Sequence, residues 1–248
     1  MRKLYFLFIG LLILPIIFAF AIDFPPESAM NFNPAYMVTN SKWLISYETY
    51  FGNAMDLAVF QPFQNGFAGE VGLYANGKTN GVIYSVASSI GKVALGSKFD
   101  LSFVGTSLHV NAGFGVVQRV WKNVDLELRV PNTVTYIYDK GFSVNTNFQL
   151  ALSLVFKNWN AAAFAGVTYP WVKTGFWSGI SFLGAQLFGR YTYEYDSELS
   201  SAVNEQIFDL TVQYSVGAMK FAYMFENDKH SSPSLSTKTN GLRFTVEW

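Results

Sequence analysis

The chain has 248 residues, of which 50% are hydrophobic and only 14% are charged, whereas soluble domains carry about 25% charged residues. Its 17 basic and 17 acidic side chains balance, so the cationic surface typical of nucleic-acid binding is absent. The lack of cysteine excludes disulfides, thiol catalysis and thiolate metal sites. We expect no cofactor.

The first 21 residues are typical of a cleaved signal peptide. Arg2 and Lys3 supply the positive start, Leu4 to Phe20 the apolar stretch, and Ala19-Phe20-Ala21 the small-residue cleavage site. Because the apolar stretch is long for a signal peptide, an uncleaved anchor helix stays open as an alternative.

Residues 22–42 form an N-terminal segment that precedes the first predicted strand. It contains Asn33-Pro34-Ala35, which resembles the Asn-Pro-Ala segment of the FadL-like family, fourteen-stranded barrels that pass hydrophobic molecules, and of the related PorV-like barrels. The resemblance implies that this tripeptide lies inside a barrel lumen as part of a plug. A proline turn that leads into the first strand is the alternative.

Residues 43–248 are dominated by segments in which apolar and polar residues alternate, the pattern of a strand with one apolar face. The clearest is Phe142–Phe156, which is far longer than the usual 5–6 residues but suits a tilted strand that crosses a bilayer. We predict a closed antiparallel transmembrane β-barrel. The alternating segments are Trp43–Phe51, Met55–Phe63, Phe67–Ala75, Val82–Ser89, Val93–Val104, Leu108–Gln118, Val124–Tyr138, Phe142–Phe156, Ala161–Tyr169, Ser181–Tyr195, Ile207–Val216, Met219–Phe225 and Leu242–Trp248.

The number of strands should be even, because single-chain bacterial barrels favour even numbers, yet thirteen segments alternate. Twelve strands are our prediction, with ten and fourteen left open. A turn at Pro131-Asn132 would split one segment and give fourteen. The aromatic connection Pro170–Gly179 could itself hold a strand or an inner plug.

Alternation alone does not distinguish a lipid-facing apolar side from a soluble core, so a soluble secreted β-protein is the alternative fold. Short turn sequences and the six tryptophans, which all fall at segment ends or in connections, favour the membrane barrel because aromatic girdles mark its two interfaces. If both barrel ends face the periplasm, the long polar connections Asp196–Gln206 and Glu226–Lys238 lie outside the cell.

The polar parity of the strands should then line the lumen, because a charge facing lipid at the midplane costs several kcal/mol. A hydrated pore with a ladder of charges and a salt-bridged interior closed to solutes both fit this arrangement. The predicted lumen charges are Lys98, Asp100, Asp125, Glu127, Arg129, Asp209, Lys220, Glu226, Arg243 and Glu247.

The last predicted strand resembles the C-terminal signal that the barrel-insertion machinery reads in outer-membrane proteins. Gly241, Phe244 and Val246 match its glycine and hydrophobic positions, and Trp248 is the terminal aromatic. The predicted partners are outer-membrane lipid, this machinery and small solutes, while the oligomeric state stays open.

Catalysis is a weak alternative. Ser107, His109 and Asn111 share one strand face, but neighbouring strand residues rarely bring a hydroxyl to an imidazole. Gly113-Phe114-Gly115 lacks the following helix of a phosphate loop, and two histidines give no metal-ligand spacing. The sequence therefore favours a porin-like outer-membrane channel for ions or small, including hydrophobic, solutes over an enzyme. A non-conducting structural or surface-binding barrel is the main alternative function.

Overall fold

The structure is a computed structural model that describes residues 33–39, 42–51, 54–62, 66–138, 140–144, 147–156, 158–198 and 204–248. The expected signal peptide, and the anchor helix considered in its place, lie outside these residues. Within the described ranges, no helix has the length and apolarity to cross a membrane.

Strands make up nearly all the regular structure. They are β1 (Leu44–Tyr50), β2 (Ala54–Pro62), β3 (Phe67–Asn76), β4 (Thr79–Ile90), β5 (Val93–Val104), β6 (Ser107–Trp121), β7 (Val124–Ile137), β8 (Gly141–Val144), β9 (Asn147–Val155), β10 (Trp159–Thr168), β11 (Trp171–Phe182), β12 (Ala185–Asp196), β13 (Asn204–Val216), β14 (Met219–His230) and β15 (Thr237–Glu247). Two 3-10 helices, Pro34–Thr39 and Pro233–Leu235, accompany them.

The strands close into one antiparallel barrel. Apart from β8 and β9, which both pair with β7, each strand pairs with its sequence neighbours, and β1 pairs with β15 to complete the ring. β8 and β9 form one wall strand, because Val144 pairs with Val134 of β7 and Gln149 pairs with Arg129 in the same register. The wall therefore has fourteen strands, with no open edge along the ring.

Our prediction of twelve strands is wrong, and fourteen is the number that the pairing gives. The missed strand is β11, in the stretch we assigned to a connection. Its inward positions include Gly175, Trp177 and Gly179, so glycines and a large aromatic ring replace the polar side chains that elsewhere mark the lumen face. Without polar residues at these inward positions, the sequence of β11 does not show the alternation of apolar and polar residues that marks the other strands.

The predicted segment Val124–Tyr138 is one strand, so the alternative turn at Pro131-Asn132 is not formed, and one predicted loop has different bounds. Pro131 lies within β7, beside a register shift between Ala112 and Phe114 of β6, so it marks a bulge and not a turn. The predicted loop Glu226–Lys238 is also shorter, because β14 continues to His230 and β15 begins at Thr237. The charged residues at the end of β14 pair with β13 and β15 despite their polarity.

The two faces of the wall differ as a membrane barrel requires. Apolar side chains such as Leu150, Leu152 and Phe221 are about half exposed on the outer face, while polar side chains fill the inner one. Trp43 and Trp248 stack with ring centroids 6.3 Å apart where the barrel closes. The prediction that all six tryptophans lie at strand ends or in connections is wrong for Trp177, which is mid-strand, inward and 3% exposed.

Candidate functional site

The 3-10 helix Pro34–Thr39 lies inside the barrel, where it contacts β4, β5 and β6 most closely. The tripeptide Asn33-Pro34-Ala35 is buried, with Asn33 1% and Ala35 0% exposed. The structure thus places the three residues of the predicted plug against the lumen wall.

Two facing glycines make room for this segment. Gly96 of β5 pairs directly with Gly115 of β6. A Cβ atom on Gly96 would lie 2.4 Å from the Ala35 nitrogen, and one on Gly115 would lie 1.9 Å from Asn33 Oδ1. Because real Cβ atoms do not approach so closely, only glycine fits at either position while the segment stays there.

Polar contacts fix the segment. Asn33 Nδ2 donates to the carbonyl oxygens of Val116, at 3.3 Å, and Leu128, at 3.4 Å. The Tyr36 hydroxyl donates to Glu127 Oε1 at 2.5 Å, and the Ser153 hydroxyl donates to the same oxygen. Burial, and then the nearby Glu127 charge, raise the pKa of Tyr36 above its usual range, so this phenol keeps its proton.

Apolar packing adds to these contacts. Met37 packs into a cluster with Leu44, Phe60, Ala68 and Ala87 on the inner faces of β1 to β4. Ala35 and Tyr36 pack against Val117 of β6. The inner faces of β4 to β7, with the segment seated on them, are called the segment wall below.

The predicted lumen charges all lie on inward-facing positions. Asp125, Glu127, Lys220, Arg243 and Glu247 are 7% exposed or less, and Lys98, Asp100, Arg129, Asp209 and Glu226 are partly buried. Most cations of the lumen pair with a carboxylate on a neighbouring strand: Arg243 with Glu48 at 2.8 Å, Lys173 with Glu194 at 3.4 Å, Arg119 with Asp125, Arg190 with Asp209, and Lys220 with Glu247.

Sequence reasoning missed an aromatic part of the lumen. Phe164 of β10 and Trp177 of β11 pack with Ala151 and Ala162, and Phe188 of β12 lies against this cluster. The Trp177 and Phe188 ring centroids are 5.8 Å apart. These inner faces of β9 to β12 are called the aromatic wall. The glycines Gly175 and Gly179 beside Trp177 could have indicated this aromatic packing, since aromatic rings can lie flat over glycine positions.

Two cavities lie along the inner faces of β1 to β7. One, of about 50 Å³, is bordered by Glu48, Asp56, Glu70 and Lys98. The other, of about 230 Å³, lies beside Pro34 and is bordered by Lys98 and Arg129. Lys98 is therefore common to both cavities.

The residues of the predicted insertion signal lie on or directly after β15, and the Ser107, His109 and Asn111 set lies on β6, as expected. Gly241 of β15 faces inward, whereas Phe244 and Trp248 are exposed on the outer side and Val246 is half-buried. Asn111, from the Ser107, His109 and Asn111 set on β6, accepts a hydrogen bond from the Thr135 hydroxyl at 2.8 Å. Among the described residues, no group of three potential metal ligands comes together.

Comparison with known proteins identifies the architecture. No family model matches the chain, and no curated protein matches it by sequence. The CymD monoaromatic hydrocarbon channel is similar in structure, with a TM-score of 0.66, 11% identity, and 93% of this chain and 94% of that chain covered. The toluene transporter TbuX of Ralstonia pickettii has a TM-score of 0.62, 9% identity, and 93% and 96% covered.

The toluene transporter TodX of Pseudomonas putida is also similar, with a TM-score of 0.56, 8% identity, and 92% and 94% of the two chains covered. The chain therefore has the fold of bacterial outer-membrane β-barrel channels. At these sequence identities the similarity shows the fold alone. Any inference about solutes must come from the residues that line the lumen of this barrel.

Proposed function

We propose that this protein is a passive channel of the outer membrane for ions and small solutes. The observation that carries the proposal is the pair of cavities beside the segment wall, which are bordered by charged side chains and meet at Lys98. A charged, solvated path inside an apolar outer surface is what a diffusion channel needs.

The proposed orientation of the protein in the membrane rests on where the two ends of the barrel lie. With an even number of wall strands, β1 and β15 bring both barrel ends to one rim, where Trp43 and Trp248 exchange backbone hydrogen bonds of 3.1 and 3.0 Å. We place this rim in the periplasm and the loops after β12 and β14 outside the cell. We also propose that Gly241, Phe244, Val246 and Trp248 are read by the insertion machinery from the last strand.

The buried Asn33-Pro34-Ala35 segment supports a relationship to the FadL-like barrels. In this proposal, the segment is a plug that narrows the lumen and leaves a passage beside it. CymD, TbuX and TodX are named for hydrocarbons or toluene, but Phe164 and Trp177 of the aromatic wall are buried and leave little apolar surface for such solutes here. The charged border of both cavities favours polar solutes on the other side.

A non-conducting barrel is the second candidate. It is favoured by the burial of Ala35 against the segment wall, of Met37 against β1 to β4 and of Trp177 within the aromatic wall, because all three fill lumen volume. In that case the lumen charges would serve only the stability of the wall.

Ion current separates the two candidates. The protein is refolded in detergent and added to a planar bilayer in potassium chloride, with detergent alone as the control. Reproducible conductance steps are the expected result. Confirmed insertion without current would overturn the channel proposal and favour the structural barrel.

A further inference from the structure

The smaller of the two cavities is bordered by polar side chains that mostly have partners within the protein. This cavity, of about 50 Å³, lies against the inner faces of β1 to β5. On its border, the Ser46 hydroxyl bonds to a threonine hydroxyl of β15 at 3.1 Å, and the Tyr74 hydroxyl donates to Asp100 at 2.8 Å. Glu48 accepts a hydrogen bond from Arg243 Nε at 2.8 Å. These three border groups are therefore already engaged.

Asp56 and Lys98 are the exceptions on this border. In the part of the chain that the structure describes, neither side chain makes a hydrogen bond, and neither forms an ion pair within 4.0 Å. Both are partly buried and lie at inward positions of their strands. Glu70, the remaining charged residue of the border, already interacts with other groups of the protein.

The position of Asp56 leaves its charge uncompensated at close range. Asp56 of β2 lies directly opposite Glu48 of β1, and like charges at such positions repel each other. Arg243 bonds to Glu48 and attracts Asp56 only from a longer distance. A positive group in the cavity would therefore be stabilised beside Asp56.

Lys98 is the counterpart of Asp56 on the same cavity. It belongs to β5, which two strands separate from β2. Glu70, Asp100 and Asp56 attract its ammonium only from a distance, and Arg129 repels it. A negative group in the cavity would therefore be stabilised beside Lys98.

A solute that carries both charges satisfies the two side chains at once. A cation alone would bind Asp56 but leave Lys98 unpaired and repelled, and an anion alone would do the reverse. A zwitterion supplies both an ammonium and a carboxylate and leaves the net charge of the lumen unchanged. The cavity suits the smallest zwitterions, because about 50 Å³ holds only a few water molecules at about 10–15 Å³ each.

We propose that Asp56 and Lys98 form a binding site in the lumen for small zwitterionic solutes such as α-amino acids. The ammonium of the solute donates to the Asp56 carboxylate, and the Lys98 ammonium donates to the carboxylate of the solute. Both are charge-assisted hydrogen bonds. The site rests on the proposed channel function and defines a class of solute that the channel selects.

Binding is tested on the refolded full chain in detergent by saturation-transfer NMR titration. Glycine is the zwitterionic probe, and methylammonium and acetate are the probes with a single charge. We expect the wild type to bind glycine about tenfold or more tightly than either ion, because only glycine pairs with both side chains. Equal affinity for the three probes, or no binding of glycine, would overturn the site.

Two variants that each remove one charge test which end of the solute each side chain binds. Asp56→Asn should weaken glycine binding about tenfold or more and strengthen acetate binding, because Lys98 loses a nearby negative charge. Lys98→Met should weaken glycine binding as much and strengthen methylammonium binding. A loss of glycine binding in both variants without this exchange of preference would indicate a disturbed wall and contradict the site.

Lys173→Met and Glu194→Gln are the matched controls. They remove the same two charges from a lumen pair, 3.4 Å apart, that lies outside the cavity border. Both variants should bind glycine as the wild type does. A loss as large as in the Asp56 and Lys98 variants would show a general effect of lumen charge and overturn the site.

Current through the bilayer separates this inference from the channel proposal. Bound glycine should reduce the potassium chloride current of the wild type, and Asp56→Asn should remove this block. Binding of glycine without any current would leave the site standing and contradict the channel. Current that glycine does not reduce, together with no binding of glycine, would contradict the site and leave the channel standing.

Discussion

The segment wall and the aromatic wall fill the barrel lumen in different ways. Both are inner faces of the same barrel, and both depend on inward glycines. On the segment wall, Gly96 and Gly115 admit a separate piece of chain, whereas on the aromatic wall the rings of the strands themselves cover the glycines. The first arrangement leaves cavities beside the inserted segment, and the second fills its half of the lumen. In the proposed channel, the path for solutes therefore follows the segment wall.

The largest effect is expected on the aromatic wall. Trp177→Ala removes a ring that is 3% exposed and should cost about 3–5 kcal/mol of unfolding free energy. It should also raise the conductance, because volume opens in the filled half of the lumen. Denaturant unfolding in detergent micelles and bilayer current measure the two effects.

Trp159→Ala is the control for this change, since Trp159 lies at the start of β10 and faces outward. It should leave the conductance unchanged. If Trp177→Ala leaves the conductance unchanged as well, the aromatic wall does not limit the lumen and the contrast between the walls fails.

A smaller effect is expected on the segment wall. Gly96→Ala places a Cβ atom within 2.5 Å of the Pro34 carbonyl carbon, so the segment must leave its seat, at a cost of about 1–3 kcal/mol. The released segment should be cleaved by protease while the barrel stays intact, and conductance should rise.

Gly72→Ala serves as its counterpart. Gly72 also faces inward, but an added Cβ would meet no atom closer than 3.7 Å. We expect protease resistance equal to that of the wild type, while conductance is not compared because Gly72 borders the first cavity. Equal cleavage in both alanine variants would mean that the segment is not held by the Gly96 and Gly115 pair.

The smallest effect is expected for Tyr36→Phe. This change keeps the ring but removes the hydroxyl that donates to Glu127, a hydrogen bond to a charged group worth about 1.5–3 kcal/mol. Only part of that loss should reach the barrel, because Ser153 still donates to Glu127. The segment should exchange its amide hydrogens faster, with little change in unfolding midpoint. Unchanged exchange would show that packing alone holds it.

The strand periodicity was enough to predict the closed barrel and its outer face, because lipid imposes an apolar parity on every wall strand. β11 was predicted only as one alternative for the connection Pro170–Gly179, since the centre of its inner face carries Gly175, Trp177 and Gly179 in place of polar residues. The number of strands could not be counted without it. The bulge at Pro131 likewise depends on the register between β6 and β7, and the residues near Pro131 in the sequence do not determine this register.

The lumen could be predicted only in part. Parity identified which charges face inward, but not which of them pair with each other, because pairing depends on which strand residues lie opposite each other. The seat for Asn33 depends on Gly96 and Gly115, which are far from it in sequence and face each other only once β5 pairs with β6. The pattern of residues around Asn33 therefore does not reveal it.

The measurement that tests the account most directly is the single-channel current of the wild type beside that of Gly96→Ala. If the path follows the segment wall, the wild type conducts in reproducible steps and the variant conducts in larger ones. A wild type that inserts and passes no current, with a variant that is equally silent, would contradict the account.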